Sequence, residues 1–322
     1  MCHINGQKTV RWTCYYKAIL FTEALMTARQ TGLLVLLGAI WGAAFMLIKI
    51  AVTDIEPATL VAVRIAITAL ILYGVMRVSG ISLPGGSKIW KDFYFVGMLG
   101  LVVPFLLIGW GQRLIPSSTT AILGATTPLF AAIINLITRN DERINAERVI
   151  GLIMGFAGVM IAIGIEGAQS GNIWGELCVL GAAVCYALSA LYGRRAFSGM
   201  QPIIPSTGQM IASTSLLIPI ALIWNGIPTV MPAPSSLIAL VILAVFCTAI
   251  AYILYYRLMD AVGATKVSMV SYLVAPFGVV YGAAILSEPI APNAIAGLVV
   301  IIVGILIAGG TWRSLIPQAR RA

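Results

Sequence analysis

Long apolar stretches alternate with short polar breaks along this chain. Runs of about 20 residues, the length of a helix that crosses a hydrocarbon layer about 30 Å thick, recur ten times: at 33–53, 57–79, 93–112, 116–138 and 146–165, then at 173–192, 205–224, 235–257, 263–286 and 292–312. Pro57, Pro116, Pro205 and Pro292 open four of the runs, as suits a first helical turn whose amides have no intrahelical acceptor. The pattern predicts an all-α polytopic membrane protein, a single bundle of ten transmembrane helices joined by short connections.

Composition sharpens this and removes alternatives. Of 322 residues, 60% are hydrophobic and 10% charged, which excludes an ordinary soluble enzyme. The net charge of +9 would raise nucleic acid as a partner in a soluble protein, but in a membrane bundle it reports topology. Threading the spans back and forth places seventeen of the twenty Lys and Arg on one side and only Arg113 on the other, with Lys49 and Arg64 inside spans. The positive-inside rule therefore puts both termini in the cytoplasm of a multi-pass inner (plasma) membrane protein, with Asp54, Glu56, Glu166 and Glu288 facing outward.

Metal and redox chemistry are poorly supplied. The single histidine, His3, lies in the N-terminal tail, and Cys2, Cys14, Cys178, Cys185 and Cys247 contain no CxxC pair, so neither a metal site nor a cofactor is expected. HExxH, GxSxG and Walker A patterns are all missing from the sequence. An enzyme is not expected, and ATP is not a direct driver.

Residues 1–30 read as a tail. The first 25 hold Lys8, Arg11 and Lys17 without a long apolar core or a small-residue cleavage site, and Met26 opens a compact Met-Thr-Ala-Arg-Gln start. An upstream start-site over-call or a disordered tail fits this better than a cleaved signal peptide.

The spans divide into two similar halves. At an offset of 146, Glu142 aligns with Glu288, Gly151 with Gly297, Gly158 with Gly304 and Gly164 with Gly310, while Pro128 pairs with Pro276 at 148. Five spans per half make the second copy inverted, and the cations agree: Arg139, Arg143 and Arg148 surround Glu142, whereas the Glu288 loop has none. Inverted repeats suit a carrier, because two mirror-related halves can rock about one central site.

Taken together, the two five-span halves, Trp41, Phe45 and Lys49 in span one, Arg64 early in span two, and a Pro in spans four and nine followed by a Glu and then a Gly nine residues later resemble the EamA-type family of the drug/metabolite transporter superfamily. The likeness covers about 33–312, with a first repeat at 31–165, a second at 172–313 and a cytoplasmic tail at 314–322. It implies a secondary transporter, an exporter of small metabolites such as amino acids, working by alternating access. A channel or lipid scramblase of similar architecture is the alternative. The turn after Pro128 is two residues longer than the one after Pro276, a local departure from the pattern.

Candidate substrate contacts are the in-span cations and aromatics. Arg64 lies about 10 Å into span two, where a charge is retained only with a partner or a cavity. Lys49 is one turn from the outer end of span one, where snorkelling competes with a cavity role. No carboxylate occupies the middle of a span, and Glu176 near the outer end of span six comes closest; a cavity holding a cation would then favour an anionic or zwitterionic small-molecule substrate. Trp41, Phe45, Trp110, Tyr186, Tyr252 and Tyr281 are the candidate walls, in competition with interfacial belts and packing, and Gln112 and Ser271 could add hydrogen bonds. The glycines of spans five and ten, including the Gly151-to-Gly155 GxxxG pattern, suit close packing within the chain or in a homodimer.

Overall fold

The computed structural model describes residues 27–138, 146–169, 173–227, 229–262, 267 and 270–308. Glu142 and the start-site question before Met26 lie outside the described residues. Helix α1 (Ala28–Ala51) begins with a capping box: the Gln30 amide donates to Thr27 Oγ1 at 3.3 Å and the Thr27 amide to Gln30 Oε1 at 2.9 Å, which satisfies two amides that a helix start leaves free. Then follow α2 (Pro57–Val78), α3 (Ser87–Leu114), α4 in two pieces (Ser117–Gly124 and Thr127–Ile137) and α5 (Ala146–Gln169). The remaining helices are α6 (Ile173–Ala196), α7 (Ile203–Asn225), α8 (Pro234–Ala244, Val245–Ile250 and Ala251–Val262), α9 (Val270–Leu286) and α10 (Pro292–Ala308).

Seven of these helices are long and apolar enough to cross a membrane among the described residues, and three shorter apolar helices accompany them, Val149–Gly164, Val270–Leu286 and Pro292–Ile307. The ten expected runs thus differ in length. Residues 263–266, 268 and 269 of the ninth run lie outside the described residues, and α5 is interrupted where Gly164 takes a φ of 68°. In the other direction, α3 starts at Ser87, six residues before the expected 93. Pro57 and Pro292 occupy first helical positions as expected, but Pro205 lies inside α7, whose entry is set by Pro202.

Three helices carry breaks with identifiable causes. In α4 the chain turns at Ala125 and Thr126, because Pro128 has no N–H to offer the carbonyl of Gly124. The Thr127 hydroxyl takes that carbonyl instead at 2.9 Å, and the Thr126 hydroxyl takes that of Leu123 at 2.6 Å. Helix α3 widens to a π-turn at Met98–Val102, just before Pro104. Helix α8 does the same at Val245–Ile250, where the Thr248 hydroxyl donates to the Leu243 carbonyl five residues back at 2.7 Å. Such widened turns concentrate at functional sites.

Glycine decides how closely the helices approach. Helix α5 packs along α10, α2 along α7, α1 along α9 and α8, α3 along α6, and α4 against α6 and α9. At Gly158 an added Cβ would lie 2.7 Å from the Ile301 amide nitrogen and 2.9 Å from the Gly297 carbonyl, and at Gly42 it would lie 2.6 Å from Phe277 Cβ. The glycines of α5 and α10 are therefore used against each other within the chain. Outward faces remain apolar, with Leu70, Ile153, Met160 and Ile223 each more than 60% exposed, the signature of a helix bundle whose solvent is lipid.

Candidate functional site

A cavity of about 320 Å³ opens among α1, α2, α3, α4, α6, α8 and α9. Its walls include Trp41, Phe45, Phe105, Tyr186 and Tyr252, with small residues such as Ala121, Gly124 and Ala182 leaving the space between them. One charged side chain reaches it among the described residues, Arg64.

Arg64 is 6% exposed, so its position is fixed by protein rather than by water. Its Nε donates to Thr248 Oγ1 at 2.9 Å, and the same hydroxyl is held by the π-turn of α8. Thr68, one turn along α2, has its hydroxyl 2.9 Å from the Arg64 carbonyl and 3.1 Å from the Ala244 carbonyl, which ties α2 to α8 beside the guanidinium. The Cζ atom sits 4.4 Å from the centre of the Phe105 ring, a cation–π contact. Phe105 meets Tyr186 edge to face at 6.5 Å, and across the cavity Trp41 meets Tyr252 at 6.3 Å. Both Nη groups of Arg64 have no hydrogen-bond partner among the described residues. A charge at membrane depth costs about 3 kcal/mol on insertion scales; here one donor and one ring face offset part of that, and the planar fork stays available.

Five of the eight residues singled out in the sequence come together here: Trp41, Phe45, Arg64, Tyr186 and Tyr252. Ser271 joins them. The structure does not bring the other three to the cavity. Trp110 packs against Trp224 of α7 with the ring centres 5.5 Å apart and the planes tilted by 34°, and Tyr281 lies over Phe277 in its own helix at 6.1 Å. Lys49 is half-buried and off the cavity; its Nζ donates to the carbonyls of Gln112 at 2.6 Å and Ile115 at 2.9 Å, at the end of α3. Gln112 is also off the cavity, with both side-chain amide atoms buried and unpartnered among the described residues. Phe105, Cys247 and Thr248 were not anticipated. The signal for Phe105 was its place beside Pro104 in mid-span, and that for Thr248 a polar residue deep in span eight.

The corner that Lys49 caps is completed by an anion. Glu288 accepts from the amides of Ser117 at 2.8 Å and Ser118 at 2.9 Å and from the Ser117 hydroxyl at 3.1 Å. Its own amide folds back to the Gly282 carbonyl at 3.1 Å, beyond a turn in which Ser287 takes a φ of 54°. A cation thus sits on the carbonyl end of α3 and a carboxylate on the amide end of α4, each matching the partial charge of its helix terminus. Burial pushes the Glu288 carboxyl up, but the Ser118 and Ser117 hydrogen bonds outweigh it and hold the group below its ordinary value.

Similarity to known proteins agrees with the architecture. The model of the EamA-like transporter family matches residues 30–164 and again 173–310. The uncharacterized transporter YoaV of Bacillus subtilis (strain 168) is 23% identical over 83% of this chain and 92% of its own length. An uncharacterized transporter of Archaeoglobus fulgidus is 26% identical over 83% of this chain and 94% of its own length. The uncharacterized inner membrane transporter YedA of Escherichia coli (strain K12) is 25% identical over 86% of this chain and 89% of its own length. One crystal structure shares the fold at a TM-score of 0.64 and 18% identity, covering 88% of this chain and 98% of that one. With both of its halves matched, this chain belongs to the EamA-like transporter family.

Proposed function

We propose that this protein is a secondary transporter of the inner membrane that exports small organic metabolites, amino acids being the class its family resemblance implies, by alternating access around the Arg64 cavity. The observation that carries this reading is the cavity itself: about 320 Å³, walled by aromatics from helices of both halves and holding one cation whose fork is unspent. Pockets for small molecules are of this kind, mostly apolar with a few placed polar groups.

Support for ten spans in two inverted halves comes from the packing. The contact of α1 with α9 has a counterpart in that of α6 with α4, and the contact of α3 with α6 in that of α8 with α1. The π-turns beginning at Met98 and Val245 stand 147 residues apart, close to the sequence offset of 146. Two related halves meeting at one site are what a rocking carrier requires.

Counterflow in proteoliposomes tests the mechanism. Unlabelled substrate inside should accelerate uptake of labelled substrate; uptake indifferent to it indicates an open pore. Orientation is tested separately in intact cells, where an impermeant thiol reagent should label a cysteine placed at 288 and not one placed at 143. The reverse pattern overturns the cytoplasmic assignment of the termini.

A further inference from the structure

The identity of the substrate can be narrowed from what the cavity offers and what it lacks. Its charge inventory is one guanidinium, with no Asp or Glu among the described lining residues. The Nε of that guanidinium is spent on Thr248 and one of its faces on Phe105, which leaves the Nη edge. That edge presents parallel N–H donors in the geometry that pairs with a carboxylate through two bonds.

An ammonium group finds no carboxylate among the described lining residues, only neutral hydroxyls and aromatic faces. It needs a carboxylate or several free carbonyls, since it donates three hydrogen bonds and accepts none. In an α-amino acid the ammonium is two bonds from the carboxylate, so any pose that seats the carboxylate on Arg64 also brings a second cation close to Arg64 in a poorly solvated space. The Phe105 face, one place where a cation could rest, already holds the guanidinium. The rest of the wall is mostly apolar or aromatic, Trp41, Phe45, Ile48, Ile108 and Val274 among it, and its polar groups, the hydroxyls of Thr127, Tyr186, Tyr252 and Ser271, are neutral. A volume of about 320 Å³ is at the small end of ligand pockets, enough for a single ring or a branched chain.

We infer that the cavity selects small organic monoanions, a carboxylate joined to an uncharged apolar or aromatic body, over zwitterionic amino acids of the same shape. This rests on the transport reading above and replaces its amino-acid class with monocarboxylates. It also supplies a driving force. A carrier that moves a monoanion and returns empty transfers one negative charge per cycle, so an inside-negative potential favours export by about 50-fold per 100 mV. Export then needs neither ATP nor a titrating carboxylate in mid-membrane.

The test uses three compounds of one shape: 3-phenylpropionate as the anion, phenylalanine as the zwitterion and phenethylamine as the cation. Thermal shifts of the purified protein give the order of binding. Counterflow of labelled 3-phenylpropionate, corrected for protein-free liposomes, gives transport. Expected are stabilisation by 3-phenylpropionate, at least about tenfold weaker binding of phenylalanine, and none of phenethylamine. Arg64→Gln should abolish the discrimination, and Arg64→Lys should keep the order at reduced affinity. If Arg64→Gln does not fold, Thr248→Val serves in its place, because it frees the guanidinium to swing and should weaken 3-phenylpropionate without helping phenylalanine. An inside-positive potential set with potassium and valinomycin should speed net 3-phenylpropionate uptake.

Phenylalanine or phenethylamine binding as well as 3-phenylpropionate overturns the inference, as do unchanged discrimination in Arg64→Gln and no binding by any of the three. The transport reading fails differently: 3-phenylpropionate binds in the expected order and counterflow is absent.

Discussion

Two cations lie inside the spans of this protein, and they have opposite fates. The Lys49 ammonium gives two of its three donors to backbone carbonyls at the end of α3, while Arg64 gives one donor to Thr248 and lines a cavity. Both have the same reason to be rare in a bilayer. The difference lies in what remains after the protein's own acceptors have been counted: a single N–H at Lys49, and two Nη groups with no partner among the described residues at Arg64. On the proposed reading, a charge in a span is a structural strut when helix-end carbonyls engage it and a ligand contact when most of its donors are left over.

The largest effect that would break this contrast is on Arg64. Loss of its fork in Arg64→Gln should weaken substrate binding by about 10- to 100-fold, the equivalent of one charge-assisted pair, with little change in melting temperature. Counterflow kinetics alongside thermal unfolding check it, and a variant that melts early with normal substrate affinity would make Arg64 the strut. Lys49→Met should do the reverse. Two carbonyls lose a charged donor, so stability should fall by about 2 kcal/mol while the substrate concentration for half-maximal counterflow stays within about twofold.

Glu288→Gln is a smaller test of the same corner, about 1.5 kcal/mol for a carboxylate bound by amides and now replaced by a neutral acceptor. Its pH dependence follows from the sign of the shift. The folded Glu288 titrates below its ordinary value, so its contribution is complete above the unfolded value of about 4.3 and is lost as pH falls through the lower, folded one. Melting temperature should therefore be insensitive to this group between about pH 5 and 8 and fall on acidification below about pH 4, with a shallower acid limb in Glu288→Gln. Smallest of all is Arg113→Gln. Arg113 pairs with Glu56 at 2.9 Å, with about a third and a half of the two side chains exposed, and a pair of that kind contributes about 0.5 kcal/mol or less. Transport by this variant should be normal; a large loss would show that exposed and buried cations here are not different in kind.

The site was legible in the sequence where depth and chemistry both follow from position in a run. Arg64 two turns into a span, and Trp41, Tyr186 and Tyr252 near mid-span, could be picked out because few residues of those types occur so deep. Trp110 and Tyr281, nearer the ends of their runs, face Trp224 and Phe277, and helix rotation is not written in an all-apolar run with no polar face to orient it. Phe105 and Cys247 were hidden for a related reason, since π-turns in α3 and α8 add a residue to the turn and shift every later side chain around the axis. Lys49 showed two readings, a cavity and the interface, and took a third that depends on a neighbouring helix ending within reach. The fold class was plain because span length and the lack of charge are set by the bilayer, whereas span ends were not: α3 starts six residues before its run, and Pro205 sits inside a helix it was expected to open.

The seam between α5 and α10 bears on how this family would look in a saturation-mutagenesis map. An added methyl at Gly304 would stand 2.6 Å from the Gly155 nitrogen, and one at Gly297 2.5 Å from that of Ala162, so even alanine should be rejected along this line. Neither helix lines the cavity among the described residues. Intolerance should therefore appear as two separate islands, one where substrate is held and one where backbones touch. The second would be the more uniform, since every substitution fails there for the same steric reason. A screen scored on growth alone would rank that seam above the pocket, and only a map that records protein abundance next to transport would tell the two islands apart.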